Sequence, residues 1–354
     1  MISDLFREDL KDFKVYNTNY FNNKIKLDAN ENPFNLLEFL EEDILKSVKS
    51  CFLNKYPDGE AKELCKSYSQ YAGASLNNIV AGNGSDELIQ LVINAFLNEK
   101  EKVLVLNPDF SMYKIYTKII RGKLLNFSYD SNFNLNIDKL IDTVNLEKVK
   151  ILFISNPNNP LGKIILKEDI EKILKSCSNC IVVIDEAYTD FCNESVVDKI
   201  NYYENLIVLR TCSKAIGIAA LRVGFALANE VLINEIKKVK SPFNVNSLSQ
   251  AIAKVVLENK NLIKSNIKKI ISEREYLFNK LEKIKNITPI KSNTNFILIE
   301  IKSDNKNIYN KLLEKDIVIR SFNDDILKNY IRVTVGDRKE NDYFVQALKE
   351  IFNN

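Results

Sequence analysis

The sequence contains no histidine and no tryptophan. Without histidine there is no Ser-His-Asp arrangement, no imidazole general base and almost none of the usual catalytic zinc geometries. Chemistry in this chain must run on lysine, carboxylates, tyrosine, hydroxyls, thiols or a borrowed cofactor. Cysteine is scarce, with six in 354 residues (Cys51, Cys65, Cys177, Cys180, Cys192, Cys212), which suits a reduced, cytoplasmic setting. Cys177 and Cys180 have CxxC spacing, but one such pair is only half a zinc site; both read as plain thiols, and no metal is expected. No stretch reaches the roughly 18 apolar residues of a membrane span, and the early acids of MISDLFREDLKDF argue against a signal peptide. Charge of one sign is also lacking. With Lys+Arg at 50 and Asp+Glu at 47, the net +3 supports neither a nucleic-acid nor a membrane partner.

At 45% hydrophobic content, 354 residues can bury a large core, as two domains or as one with an appendage. Short, nearly continuous apolar runs lie at Val103–Leu106, Ile151–Ile154, Ile181–Ile184 and Leu206–Leu209, each reading as a strand buried on both faces. Helix-period segments such as Glu168–Leu174 separate them. The expected fold is therefore α/β, a doubly wound, mostly parallel sheet. From Asn261 to about Lys285, Ile263, Ile267, Ile270, Leu277, Leu281 and Ile284 recur at helical spacing, predicting a long amphipathic helix that bridges to a second unit. Beyond it, Asn295–Glu300 and Tyr330–Val335 read as strands of a smaller α+β domain, closed by a helix near Asn341–Phe352.

In an open parallel sheet, ligands gather at the carboxyl ends of the strands. Each of the four predicted strands runs straight into unusual residues: Asn107-Pro-Asp-Phe110, Ser155-Asn-Pro-Asn-Asn-Pro-Leu-Gly162, Asp185-Glu-Ala-Tyr188 and Thr211-Cys-Ser-Lys214. Singly, such loops are ordinary turn chemistry; four on one rim predict a site. Ahead of them, Ala81-Gly-Asn-Gly-Ser-Asp-Glu offers a glycine turn and a helix starting just after Ser85, a ready anion site. It is no dinucleotide fingerprint, since Glu87 replaces the third glycine and no strong strand precedes it.

That rim supplies an anion cradle, an aromatic, Asn, Asp, Tyr and Lys214, with Arg222 following; both cations stand in apolar company. Pyridoxal 5'-phosphate suits the inventory. Its phosphate needs N–H groups, hydroxyls and a cation, its pyridinium nitrogen a carboxylate, and its aldehyde a lysine. Apolar surroundings for Lys214 would lower the amine's pKa and favour condensation.

The chain resembles the fold-type I pyridoxal-phosphate-dependent aminotransferases, most closely the histidinol-phosphate aminotransferases. The motifs that carry the likeness are Leu27-Asp-Ala-Asn-Glu-Asn-Pro33, Tyr56-Pro-Asp58, Gly82-Asn-Gly-Ser-Asp-Glu87, Asn156-Pro-Asn-Asn-Pro160, Asp185-Glu-Ala-Tyr188, Ser213-Lys214 to Arg222, Asn244–Gln250 and Tyr330-Ile-Arg-Val333. The resemblance implies that Lys214 is the Schiff-base lysine and the base for the substrate's α-proton, with Asp185 on the pyridinium nitrogen. It implies that Tyr188 and Asn159 bind the ring oxygen and that Phe110 stacks on the ring. Gly84, Ser85, Thr211, Ser213 and Arg222 would hold the phosphate, and Tyr56 would reach the phosphate of a neighbouring subunit, giving a homodimer with shared sites. Arg320 and Arg332 would grip the substrate anion, with Asn30 nearby. One departure stands out: Leu161 occupies a position where the family usually has Thr.

The implied layout is an N-terminal arm over 1–45, a large cofactor-binding domain over 46–260 and a small domain over 261–354. The implied reaction moves the amino group of L-histidinol phosphate to 2-oxoglutarate, a step of histidine biosynthesis. Threonine-phosphate decarboxylase activity of cobamide synthesis and a broader aromatic or aspartate aminotransferase remain open at this stage. So do a non-catalytic cofactor-binding regulator and a plain nucleotide-binding module.

Overall fold

The computed structural model describes residues 2–10, 13, 25–192, 194–302 and 305–353. Much of the arm expected over 1–45, namely 11–12 and 14–24, lies outside the described residues. Among those described, strands form a seven-stranded and a five-stranded sheet.

The large sheet comprises β2 (Ile79–Gly82), β3 (Lys102–Asn107), β4 (Lys123–Ser128), β5 (Ile151–Ser155), β6 (Ile181–Asp185), β7 (Leu206–Thr211) and β8 (Gly224–Ala228), in the order β2-β8-β7-β6-β5-β3-β4. From β4 to β7 every pairing is parallel; β8 runs antiparallel to both β7 and β2. All four predicted strands are present. A continuous apolar run fits here because helices cover both faces, leaving every residue of β5 and β7 buried. Two sequence expectations need correction. A strand, β2, does precede the Gly82–Glu87 motif: with only four residues it gives no periodic signal, and it is held by β8. After α1 (Leu37–Lys49) and α2 (Lys62–Ala72), the helix that follows β2, α3 (Gly84–Phe96), starts at Gly84 rather than after Ser85.

The smaller sheet has the order β1-β11-β12-β10-β9, from β1 (Ile25–Leu27), β9 (Ile287–Pro289), β10 (Phe296–Ile301), β11 (Ile317–Ser321) and β12 (Tyr330–Thr334). Its first strand comes from the N-terminal end of the chain and pairs parallel with β11. The predicted long helix is Lys260–Leu281, with Ile263, Ile267, Ile270, Leu277 and Leu281 buried along one face. The predicted closing helix is Arg338–Asn353. Leu161 is fully buried with Phe133, Leu298 and Leu327, so the missing hydroxyl is replaced by an apolar plug between the two sheets' layers.

Candidate active site

Strands β3, β5, β6 and β7 end at Asn107, Ser155, Asp185 and Thr211, and their parallel register sets the four loops side by side. Asp185 is 4% exposed. Its Oδ1 accepts the Ala187 backbone N–H (3.1 Å), and its Oδ2 accepts the Tyr113 hydroxyl (2.7 Å). Burial pushes the carboxyl up to about 6. Tyr113 lies in α4 (Ser111–Ile119), which Phe110 precedes as N-cap; the Phe110 ring meets Tyr113 edge-on, centroids 5.6 Å apart.

Lys214, in the loop after β7, is half-buried. Its Nζ donates to the carbonyl of Ala29 (2.8 Å). Burial pulls the amine down to about 8, helped by the positive charges of Arg332 and Arg222 and partly offset by Glu31. Lys214 thus rests on a neutral acceptor delivered from far along the chain.

Arg222 is different. Its side chain is exposed, its Nη2 pairs with Asp86 (3.3 Å), and its Nη1 donates to Ser213 Oγ (3.3 Å). Thr211 Oγ1 in turn donates to Ser213 Oγ (3.0 Å). These groups face the N-terminus of α3, whose first backbone N–H groups have no intrahelical acceptor. The approach is close enough to require glycine twice. Gly84 sits at φ +81°, and a Cβ there would fall 2.5 Å from Arg222 Nη2; at Gly224 it would fall 2.6 Å from the Ser85 nitrogen. Two hydroxyls, a guanidinium and helix-end N–H groups around a glycine hollow fit a phosphate.

A strap of five residues, Asp28 to Asn32, closes the rim. The Asp28 carbonyl accepts Arg332 Nη2 (2.6 Å), while the neighbouring Ala29 carbonyl holds Lys214. Asn30 donates from Nδ2 to the Tyr188 hydroxyl (2.8 Å), and its backbone N–H donates to Thr334 Oγ1 (2.9 Å). Asn32 Nδ2 donates to the carbonyls of Lys214 and Ala215, 3.2 Å each. Arg332, 8% exposed on β12, also donates from Nη1 to Asn159 Oδ1 (2.6 Å) and lies over the Phe296 ring at 5.2 Å.

The site therefore offers an amine with a lowered proton affinity, a buried carboxylate, a flat aromatic and an anion cradle, a set that matches the parts of pyridoxal 5'-phosphate. The family description aminotransferase class I and II matches residues 22–348. The chain belongs to the class I and II aminotransferases.

Among relatives of this aminotransferase, the histidinol-phosphate aminotransferase of Clostridium novyi (strain NT) is 48% identical over 349 residues, covering 99% of this chain and 98% of its own. The crystal structure of the histidinol-phosphate aminotransferase from Clostridium acetobutylicum superposes with a TM-score of 0.86 at 29% identity, covering 93% of this chain and 99% of the other. That of Sinorhizobium meliloti, solved in complex with pyridoxal-5'-phosphate, has a TM-score of 0.87 at 23% identity, covering 93% and 91%; at that identity the likeness concerns the fold alone.

Most residues singled out in the sequence of this aminotransferase converge. Lys214, Asn30, Tyr188, Asn159 and Arg332 are stitched together by the strap. Gly84, Ser85, Thr211, Ser213 and Arg222 form the cradle, and Phe110 is tied to Asp185 through Tyr113. Two stand apart. Arg320 is exposed, although it pairs with Arg332 across β11 and β12 and so shares its sheet face. Tyr56 is 81% exposed and stacks on Phe243, centroids 4.7 Å apart. Sequence reasoning missed Tyr113, Asp86 and Asn32. Asp86 and Asn32 lie inside quoted motifs and were discoverable there; nothing in Ser111-Met-Tyr113 announces where that hydroxyl points.

Proposed function

We propose that the chain is a histidinol-phosphate aminotransferase. It is a pyridoxal 5'-phosphate enzyme that moves the amino group of L-histidinol phosphate to 2-oxoglutarate in histidine biosynthesis. The observation that carries the reading is end-to-end identity of 48% with a relative named for that activity. The convergence of Lys214, Asp185 and the α3 cradle supplies the chemistry such an activity needs.

When bound, the cofactor supplies an aldehyde for Lys214 and a protonated ring that draws electrons from the substrate's α-carbon. Gly84, Ser85, Thr211, Ser213 and Arg222 would hold its phosphate, Phe110 would cover its ring, and Asn159 and Tyr188 would bind its ring oxygen. Asp185 would accept the ring N–H and keep that nitrogen charged. Lys214 Nζ would serve as the base for the substrate's α-proton; with its pKa drawn down to about 8, a useful fraction of the amine is neutral at working pH. Arg332, Arg320 and Asn30 receive the anionic group of the donor and then that of the 2-oxo acid, because a guanidinium takes phosphate or carboxylate in the same fork. The Asp28 and Asn159 contacts fix the plane of Arg332 beforehand.

The reading includes a homodimer. Phe52, Leu53, Tyr56 and Phe243 form an exposed apolar patch, 67%, 80%, 81% and 42% exposed, suited to a second copy whose cofactor phosphate Tyr56 would reach. It also includes the arm, large and small domains over 1–45, 46–260 and 261–354, and a cytoplasmic location in keeping with six free thiols. No helix among the described residues is long and apolar enough to cross a membrane.

The test is a steady-state comparison of histidinol phosphate, threonine phosphate, phenylalanine and aspartate as donors to 2-oxoglutarate, with carbon dioxide release followed in parallel. Histidinol phosphate should lead in kcat/KM by at least about tenfold, a gap of some 1.4 kcal/mol in transition-state binding. Carbon dioxide from threonine phosphate, or equal rates for all four donors, would overturn the reading.

A further inference from the structure

Asp185 is an ion in poor company. It is 4% exposed, and among the described residues no lysine or arginine forms an ion pair with it. The charges around it are negative. Asp86 on α3 and Glu186, the residue that follows the end of β6, both disfavour its ionisation, and Glu186 is itself paired with Arg210 at 2.7 Å. Asp109, in the β3–α4 loop and itself pushed up to about 7 by burial, feels Asp185 in return, as does the Tyr188 hydroxyl. Against these stand two neutral donors, the Ala187 N–H and the Tyr113 hydroxyl.

Only one of the two is a side chain, and it is unusually well fixed. Tyr113 is fully buried, lies flat on Phe153 (centroids 4.7 Å, planes 9° apart), and meets Phe110 edge-on. Phe110 and Tyr113 stand one helical turn apart at the start of α4, so a single turn delivers both the ring that covers the cofactor and the hydroxyl behind its carboxylate. Burial holds the Tyr113 phenol well above its usual pKa, so it remains a donor throughout the working range. A buried carboxylate deprived of one such donor reverts toward its neutral form.

We propose that Tyr113 is a positioning residue for the amino transfer: its hydroxyl keeps Asp185 ionised and aimed, and thereby sets how firmly the cofactor's ring nitrogen holds its proton. The inference rests on the reading of Asp185 as the partner of that nitrogen. Tyr113 touches neither substrate nor cofactor in this account. Its effect should fall on kcat and on the acid side of the pH profile, leaving KM alone.

Tyr113→Phe removes the hydroxyl and keeps the ring packing, and Asp185→Asn serves as the reference. In the apoprotein, carboxyl carbon NMR with Asp185→Asn for assignment should show the Asp185 titration moving up by about one pH unit in Tyr113→Phe. In the loaded enzyme, kcat should fall about tenfold, its acid limb should move up by a similar interval, and KM for the donor should stay within twofold. An unshifted carboxyl titration and an unshifted kcat limb, alongside a severely slowed Asp185→Asn, would overturn the proposal while leaving Asp185 in its role. If Asp185→Asn itself kept wild-type kcat and cofactor absorbance, the reading of Asp185 would fall. Should Tyr113→Phe not fold, replacing Tyr113 by 3-fluorotyrosine preserves the shape and strengthens the donor. The carboxyl titration and the acid limb should then both move down, and no movement overturns the proposal.

Discussion

Lys214 shows at the level of one residue how a structure makes an amine reactive. Its partner is a carbonyl, and of the charges around it Arg332 and Arg222 weaken its hold on a proton while Glu31 and Asp86 partly offset them. A carboxylate in Ala29's place would hold the ammonium form; a carbonyl accepts from it without stabilising its charge to the same degree. The amine should therefore titrate near 8 in the apoprotein, and removing a positive neighbour should raise that value. The pH dependence of acylation at Lys214 should give this midpoint for the wild type and a higher one for Arg332→Ala. The same substitution should raise KM for histidinol phosphate about tenfold or more while leaving cofactor occupancy nearly unchanged, as measured by steady-state kinetics and cofactor absorbance.

Among elements, the meeting of α3 with β8 is the most demanding. Gly224 packs against the backbone of the helix end so closely that it has no room for a methyl group, while Gly84 holds a positive φ beside the Arg222 guanidinium. Gly84→Ala must accommodate both the clash with Arg222 and a positive φ, which alone costs about 1–2 kcal/mol. Fluorescence titration should show at least about tenfold weaker pyridoxal 5'-phosphate binding, with the donor preference unchanged. On the far side of β6 and β7, Arg210 and Glu186 form an ion pair with side chains 8% and 0% exposed. Arg210→Met strands the carboxylate and should lower unfolding stability by about 3–5 kcal/mol, read by denaturant titration. The double change with Glu186→Leu should recover much of that loss.

Element by element, legibility in the sequence followed burial. The strands β3, β5, β6 and β7 announce themselves because two covered faces demand uninterrupted apolar residues. Edge strand β4 mixes exposed and half-buried positions with a single buried one, Phe127, and β2 is too short to show a period, so neither gives a signal. Site residues at strand ends were readable for a related reason: chain direction in a parallel sheet already says where ligands collect. What could not be read were contacts decided by packing, such as Tyr113 reaching Asp185 across two elements.

For the whole molecule, the exposed patch around Tyr56 makes the assembly prediction. If Tyr56 serves a neighbouring site, mixing Tyr56→Ala subunits with Lys214→Ala subunits should yield hybrids in which one of the two sites retains Tyr56's contribution and Lys214 together. Weaker cofactor binding should then appear in half of the sites, detectable by titrating purified hybrids, and a single uniform affinity would contradict it.

The strap carries a further consequence for synthesis. Its bond from Asp28 to Arg332 spans 304 positions, and Asn30 reaches Thr334 over the same interval. In a chain emerging from the ribosome, the strands of the large sheet, the Gly84 turn and Lys214 all precede β12. Until those last strands are translated, nothing fixes Arg332, and the segment that shelters the amine has no anchor on that side. A chain halted before β12 would carry Lys214 without the Arg332 and Thr334 contacts that anchor the strap beside it.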